Sequence, residues 1–136
     1  MQQAHWLLRL ALASVFIYHG YEKLFIFGVG NFAAMMQLNE VVTYLVILAE
    51  LGGGILVLVG GLTNSALTRL GALATLPVML GAIFTVHLKP GFQWSFIASE
   101  THPMGGIEFQ VVLILVALYF VVVGNGEPAA AAPAGE

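Results

Sequence analysis

The chain has 136 residues, of which 60% are hydrophobic and 8% are charged, with a formal net charge of −3 and a mean hydropathy of +0.95. Soluble domains carry about 25% charged residues, so this composition excludes a soluble globular domain and indicates an integral membrane protein. Four Lys and Arg residues against seven acidic residues, and no cysteine, exclude a basic surface for nucleic acid and any thiol, disulfide or iron–sulfur chemistry.

Four apolar runs are long enough to be transmembrane helices, which need about 20 predominantly apolar residues. They are Trp6–His19 with a continuation to Phe27, Val41–Leu62, Ala66–His87 and Ile107–Gly124. No small-residue cleavage site follows the first run, so we expect this run to be retained. None of the runs alternates strictly between polar and apolar residues, as the strands of a membrane barrel do. The sequence therefore predicts an all-α fold, an integral membrane four-helix bundle.

The connections between these runs differ in length. Thr63-Asn64-Ser65 is a short polar turn, which predicts that the second and third helices are antiparallel neighbours. Residues 25–40 and 88–106 form two longer, aromatic-rich connections on the opposite membrane face, and we expect both to lie along the membrane interface or to dip back into the bundle. Residues 127–136 cannot bury apolar surface, so we expect a disordered tail after a single membrane domain of residues 1–126.

Glu50 is the charged residue that the bilayer should most strongly exclude. It lies nine residues after Val41, about 13 Å along the second helix, which places it near the middle of the membrane. A carboxylate at this depth is costly unless it is protonated, paired or facing a wet cavity. Gly53 and Gly54 on the same side let another helix approach closely. We expect Glu50 to be buried beside a donor from another helix, such as His19 or Lys23, and a purely structural carboxyl that joins two helices remains an alternative.

Further polar residues lie in the same half of the bundle as Glu50. His19 and Lys23 are four residues apart on one stripe of the first helix. His87 ends the third helix and Glu108 begins the fourth, both on the side of the long connections. Together these residues predict a polar pocket roofed by the two aromatic connections. Arg9 lies on the same stripe as His19, and we expect it to snorkel to the interface as an anchor.

The positive charges do not decide the orientation in the membrane. Arg9 and Arg69 lie on the face of the termini, whereas Lys23 and Lys89 lie on the other. The positive-inside rule therefore gives equal weight to both orientations. Because Lys23 belongs to the candidate functional cluster, it counts less as a topological signal. We therefore favour cytoplasmic termini.

Several short motifs resemble the DoxX family. They are Arg9-Leu-Ala, His19-Gly20-Tyr-Glu-Lys23-Leu24, Phe32, Glu50-Leu-Gly-Gly-Gly54, Leu58-Val-Gly60-Gly-Leu-Thr63, Arg69 and Gly124-Asn-Gly126. The resemblance covers residues 6–126 and implies a four-helix protein of a bacterial or archaeal plasma (inner) membrane. Carried over by position, it marks His19, Gly20, Lys23, Glu50 and Gly54, with Arg9 and Arg69 as flanking positions. A DoxD-type relative is a subunit of a thiosulfate:quinone oxidoreductase, which implies redox or oxidative-stress partners.

We therefore predict a quinone-linked redox or oxidative-stress-associated membrane subunit that acts with a partner enzyme. His19 and Lys23 can donate hydrogen bonds to quinone carbonyls and Glu50 can pass protons, so these three are the candidate catalytic residues. The candidate residues for binding the quinone are His87, Glu108 and Trp94.

Other functions remain open at this point. The first is a non-catalytic membrane scaffold or assembly subunit whose polar residues only hold helices together. The second is a metal or haem site built from His19, His87, Glu50 and Glu108, but no HxxxH or ExxH spacing supports it, and we assign no metal ligand. The expected partners are the lipid bilayer and a redox enzyme subunit, with a homo-oligomer left open.

Overall fold

The structure, a computed structural model, describes residues 2–126, with side chains from His5 onward. All regular elements in this range are helical: α1 (Gln2–Tyr21), α2 (Val29–Met36), α3 (Glu40–Leu62), α4 (Ser65–Ala82) and α5 (Glu108–Val123). Two π-helical turns, Glu22–Phe27 and Ile83–His87, continue α1 and α4. The predicted disordered tail, residues 127–136, lies outside the described residues.

Three helical segments are long and apolar enough to cross a membrane. Each has 23 residues: His5–Phe27, Glu40–Leu62 and Ser65–His87. A helix of that length extends about 35 Å, which exceeds the roughly 30 Å of a hydrocarbon core. The predicted continuation of the first run to Phe27 is confirmed. α5 is also apolar, but it has only 16 residues, or about 24 Å, so it falls short of the same length criterion.

The outer surface of the helices is apolar. Leu48, Phe84 and Leu115 are 66%, 68% and 61% exposed. Large apolar side chains exposed on this scale would be costly in water, whereas lipid tails accommodate them. The interior contains a cluster contributed by α1, α3, α4 and α5: Leu12, Phe16, Val57, Ala72, Met79, Leu113, Ala117 and Phe120. The described part of the chain is therefore a helical bundle with a lipid-compatible exterior.

Glycines allow α3 to lie close to both of its main neighbours. α3 packs between α1 and α4, and α5 packs on α4. A Cβ at Gly54 would lie 2.7 Å from Ile17 Cγ1 on α1, and a Cβ at Gly71 would lie 2.7 Å from Gly53 O on α3. Contacts this short leave no room for a side chain. The predicted close approach of helices on the Glu50 side of α3 is confirmed.

The short turn and the first long connection are built by local hydrogen bonds. Asn64 caps α4 by accepting from Leu67 N at 3.0 Å, and α3 and α4 pack as predicted. Residues 25–40 are not an extended connection, because helical structure continues to Phe27 and resumes as α2. Gly28, with φ of 79°, separates the two helical pieces, a conformation that favours glycine.

The second long connection folds back on itself between residues 88 and 107. Glu108 N donates to Trp94 O at 2.9 Å, and Gly106 N donates to Ser95 O at 2.7 Å. His102 is buried, and its Nε2 donates to Gly91 O at 3.0 Å. These bonds satisfy backbone groups that a membrane interface would leave partly desolvated. The connection is therefore an ordered cap on its end of the bundle.

Arg9 does not snorkel to the interface as predicted, because it is 2% exposed within the bundle. Its guanidinium donates to acceptors on three other parts of the chain: Val57 O at 2.7 Å, Thr68 Oγ1 at 2.9 Å, Gly124 O at 3.3 Å and Asn125 Oδ1 at 2.6 Å. It also lies 4.7 Å from the centroid of the Phe120 ring, which adds a cation–π interaction. Acceptors of these kinds let the bundle interior hold the charge.

Arg9 is the centre of a polar cluster at the end of the bundle opposite the long connections. Asn125 Nδ2 donates to Gly60 O at 2.9 Å and Asn125 N donates to Ser65 Oγ at 3.0 Å. Near it, His5 Nε2 and Tyr119 Oη are 2.9 Å apart. The two ends of the described chain therefore lie together, as the sequence predicted, and polar residues occupy both ends of the bundle instead of one.

Candidate functional site

A cavity of about 440 Å³ opens in the bundle at the end covered by the long connections. All five helices contribute to its wall, and most of the lining side chains are apolar. The polar lining residues are His19, Lys23, Glu50, Thr85, His87 and Gln110.

Irregular parts of the helices contribute to the cavity wall. Pro77 lines the cavity on the α4 side, and the two π-helical turns supply Lys23 and His87. Turns of this kind inside longer helices are frequent at functional sites.

Lys23 and Glu50 form an ion pair in the cavity wall. Lys23 Nζ lies 2.8 Å from Glu50 Oε1, and the two side chains are 14% and 3% exposed. Lys23 Nζ also donates to His19 O at 3.4 Å and lies 5.1 Å from the centroid of the Phe32 ring. Charges that are removed from water attract each other strongly, and each partner offsets the desolvation of the other. The prediction that Glu50 is buried beside a donor from another helix is confirmed.

The second carboxylate oxygen of Glu50 has no such partner. Among the described residues, no donor lies within hydrogen-bonding distance of Glu50 Oε2, although the atom is buried. Most buried polar atoms in folded proteins are hydrogen-bonded, and an unpaired one is destabilising. Glu50, a residue of the cavity wall, therefore has one carboxylate oxygen whose hydrogen-bonding capacity is unused.

His19 lies on the same wall but outside the ion pair. Its Nδ1 is 3.4 Å from Glu22 Oε2, and its side chain is 47% exposed. It contributes to the cavity lining together with Lys23. The structure thus brings the three candidate catalytic residues to one cavity, and His19 is the most exposed of them.

His87 and Gln110 form a second polar pair on the other side of the cavity. The buried His87 ring donates from Nδ1 to Gly105 O at 3.0 Å, and its Nε2 lies 2.7 Å from the Gln110 amide nitrogen. This arrangement suits a neutral ring whose Nε2 accepts. With the amide turned over, its nitrogen reaches Gly106 O at 3.2 Å and its oxygen accepts from Nε2. In either orientation of its amide, Gln110 is therefore the hydrogen-bonding partner of His87 Nε2.

Two of the predicted binding residues are not on the cavity. The lining residues include neither Glu108 nor Trp94. Glu108 Oε2 instead accepts from Phe96 N at 3.3 Å, and its backbone N–H donates to Trp94 O. Glu108 lies at the first turn of α5, where its side chain and its backbone bond the adjoining connection. Glu108 and Trp94 therefore belong to the ordered cap and not to the cavity wall.

The second long connection covers less of the cavity than predicted. α2 supplies Phe32, Met35 and Met36 to the lining, so the first connection covers the cavity as predicted. From the second connection only Met104 lines it, and the aromatic side chains Phe92, Trp94 and Phe96 are exposed. Sequence alone does not distinguish an aromatic loop residue that faces a cavity from one that faces outward.

The sequence reasoning missed Gln110 and α2. Gln110 is an amide inside an otherwise apolar run, and a polar residue within a membrane helix is itself a functional signal. The Met residues of α2 gave no signal, because methionine fills apolar sites of many kinds. Within residues 2–126, no group of three His, Asp or Glu side chains is placed to hold a metal ion.

A family model for DoxX matches residues 4–88. The matched segment includes the three long membrane helices with His19, Lys23, Glu50 and His87, and it ends before α5. No curated protein and no solved structure matches the chain significantly. Because the family model covers more than half of the sequence, the chain belongs to the DoxX family.

Proposed function

We propose that this DoxX-family protein is a membrane subunit that binds a quinone in the cavity of α1–α5 and works with a redox partner enzyme. The observation that carries the proposal is the Lys23–Glu50 ion pair, which lies in the wall of a largely apolar cavity. Small-molecule sites typically combine an apolar wall with a few polar groups that fix the ligand's orientation. Ionisable residues inside membrane helices are, by default, functional.

The fourth membrane crossing, by α5, is part of this proposal. Gln110 near the start of α5 contacts His87 at the end of the third long helix. Beyond the end of α5, Asn125 N contacts Ser65 at the start of that same helix. α5 and the residues that follow it therefore run beside the span Ser65–His87 from one end of that span to the other. A four-span chain has both termini on one side, and we assign that side to the cytoplasm of a bacterial or archaeal cell.

The residues present fit a quinone in size and in chemistry. Ligand pockets are usually about 300–1,000 Å³, and this cavity has about 440 Å³. Phe32, Met79 and Leu113 offer apolar contact to a ring. Lys23 and His19 supply donors for carbonyl oxygens, and Glu50 supplies an acceptor. When bound, a quinone would supply two-electron, two-proton redox chemistry.

The chain's own residues would orient the ring and handle protons. Lys23 keeps Glu50 in place through Oε1, which leaves Oε2 able to accept or hold a proton. On the other wall, the His87–Gln110 pair can hold a proton at His87 Nε2. The apolar lining excludes bulk water from both pairs, which strengthens their interactions. The chain has no cysteine for thiol redox or iron–sulfur ligation, so we assign the supply of electrons to the partner.

Ligand-dependent thermal stability of the purified protein in mild detergent tests the proposal. The probe is a benzoquinone with a decyl side chain, added to the parent protein, to Lys23→Met and to Lys89→Met. Lys89 is exposed in the second connection, so it matches the loss of charge without touching the cavity. At a ligand concentration of about 100 Kd, we expect about 2.7 kcal/mol of stabilisation for the parent protein and for Lys89→Met, and little for Lys23→Met.

Two outcomes would contradict this function. If the quinone leaves the melting temperature of the parent protein unchanged, the cavity does not bind it, and the non-catalytic scaffold remains as the function. If Lys23→Met is stabilised as much as Lys89→Met, the ion pair takes no part in binding.

A further inference from the structure

We infer that the cavity prefers a neutral ligand that donates a hydrogen bond to Glu50, such as a phenol or the hydroxyl of a hydroquinone, over a ligand that only accepts. This inference rests on the proposed function, because it specifies the chemical form of the ligand at the same site. It follows from which groups in the cavity wall lack a partner.

The group without a partner is an acceptor. Glu50 is 3% exposed, and Lys23 Nζ occupies only one of its two carboxylate oxygens. Oε2 is buried and has no donor among the residues that the structure describes. A carboxylate paired with an ammonium group accepts hydrogen bonds and donates none. A ligand that only accepts, such as a fully oxidised quinone, would leave this oxygen unsatisfied.

Three further polar side chains of the wall already have partners. Thr85 Oγ1 donates to Gly81 O at 2.7 Å, and His87 Nδ1 donates to Gly105 O at 3.0 Å. The Gln110 amide is paired with His87 at 2.7 Å. None of these three can serve Glu50 Oε2 without giving up its present bond, and His19, which also lines the cavity, makes no hydrogen bond to it. The missing donor has to come from the occupant of the cavity.

The surroundings of Glu50 restrict the charge and shape of that occupant. Lys23 lies 2.8 Å from the same carboxylate, so a cationic donor would be repelled. Apolar side chains such as Phe32, Met79 and Phe109 line the remaining wall, which favours a ring or an alkyl chain over a strongly hydrated group. A neutral hydroxyl on an aromatic ring meets both conditions.

Two ligands that differ by one donor test the inference: 4-decylphenol and its methyl ether, 4-decylanisole. Their binding to the intact protein in detergent is measured by calorimetry at equal mole fraction in the micelle. Because hydrogen bonds to charged groups are stronger than those between neutral groups, we expect the phenol to bind roughly tenfold or more tightly. Equal affinities, as expected if water serves Glu50, would overturn the inference.

Glu50→Gln gives a second, independent readout. The amide must turn its oxygen toward Lys23, which directs its NH2 group to the position of Oε2. That position then donates, so we expect the preference to reverse in favour of the anisole. Glu40→Gln is the matched control, because Glu40 is exposed at the start of α3 and away from the cavity lining. It should keep the preference of the parent protein.

The outcomes separate this inference from the proposed function. If Glu50→Gln keeps the phenol preference while decyl benzoquinone still binds the parent protein, the inference is wrong and the quinone site stands. If the phenol, the anisole and the benzoquinone all fail to bind, the proposed function is wrong as well. If Glu50→Gln does not fold, the comparison of phenol with anisole in the parent protein decides the inference alone.

Discussion

Arg9 Nη2 donates to Asn125 Oδ1 at 2.6 Å, which joins the first helix of the chain to the segment that follows its last. Asn125 in turn bonds Gly60 O, and Thr68 Oγ1 donates to Asn125 Oδ1 at 2.7 Å. A single asparagine therefore connects four parts of the chain at one end of the bundle. Removing its side chain would take away one of the four acceptors of the guanidinium, one of the two donors to Gly60 O and the acceptor of the Thr68 hydroxyl.

We expect Asn125→Ala to lower the free energy of unfolding by about 1–3 kcal/mol, because a buried group that loses its hydrogen bond keeps the cost of its desolvation. Arg9→Lys should lower it further, since an ammonium cannot reach all of the acceptors that the guanidinium spans. Thermal unfolding in detergent measures both. Arg69→Lys is the control, because Arg69 is exposed and makes one long bond of 3.4 Å. A larger loss for Arg69→Lys would contradict the prediction.

The glycines of α3 give a prediction about packing. Gly54→Leu should reduce the yield of folded protein sharply, because the new side chain would collide with Ile17 on α1. Gly53→Leu should act similarly through Gly71 and Thr75 on α4. Gly52→Leu is the control, since a Cβ at Gly52 meets only Leu48 at 3.8 Å on its own helix. Size-exclusion profiles of the three variants should separate Gly52→Leu from the other two.

The ion pair gives a prediction about coupled substitutions. Lys23→Met should destabilise the protein by about 3–5 kcal/mol, because it leaves the buried Glu50 carboxylate without its partner. The double variant Lys23→Met/Glu50→Leu should recover much of that loss, since an apolar pair of similar volume avoids the buried charge. Melting temperatures of both variants check this. A double variant less stable than Lys23→Met would show that the pair itself supplies the stability.

Gln110 and Glu108 are two residues apart and should behave differently. Gln110→Leu removes the partner of His87 Nε2 in the cavity wall, so we expect weaker binding of decyl benzoquinone, by roughly tenfold. Glu108→Gln should leave that affinity unchanged, because Glu108 is not on the cavity and the amide oxygen can still accept from Phe96 N. Calorimetric titration of the two variants distinguishes them, and a loss of affinity in Glu108→Gln would place that residue back in the site.

The absence of cysteine makes the proposed fourth crossing simple to test. Single cysteines are introduced as Asn64→Cys in the short turn, as Ser99→Cys in the second connection, and as one residue appended after Glu136. With four spans and cytoplasmic termini, an impermeant maleimide applied to intact cells should label only Ser99→Cys. Labelling of the appended cysteine together with Ser99→Cys would mean that α5 does not cross the membrane.

Features governed by local sequence or by the membrane itself were predictable. The three long spans follow from runs of apolar residues, and the pairing of Glu50 follows from the cost of a lone carboxylate at that depth. The position of Arg9 was not predictable, because its acceptors come from residues 48 to 116 positions away. Snorkelling is the local solution for an arginine near a helix end, and distant acceptors overrode it.

The same limit applies to the cavity. Lys23 and Glu50 could be identified because each is unusual where it stands in the sequence. Glu108 is equally unusual, but its carboxylate bonds Phe96 N in the adjoining connection and is held off the cavity wall. Which way a side chain points at the first turn of a helix depends on the fold of the preceding connection. For residues 88–107, that fold depends on backbone bonds that have no sequence signature.

The Arg9 cluster and the cavity occupy opposite ends of the same helices. At one end the guanidinium ties α1 to α3, α4 and the segment after α5, whereas at the other the helices stand apart around an open space. The residues that fasten the helices together at one end are therefore not those that line the cavity at the other. A substitution in the cavity wall can change what binds there while the Arg9 cluster keeps its hydrogen bonds.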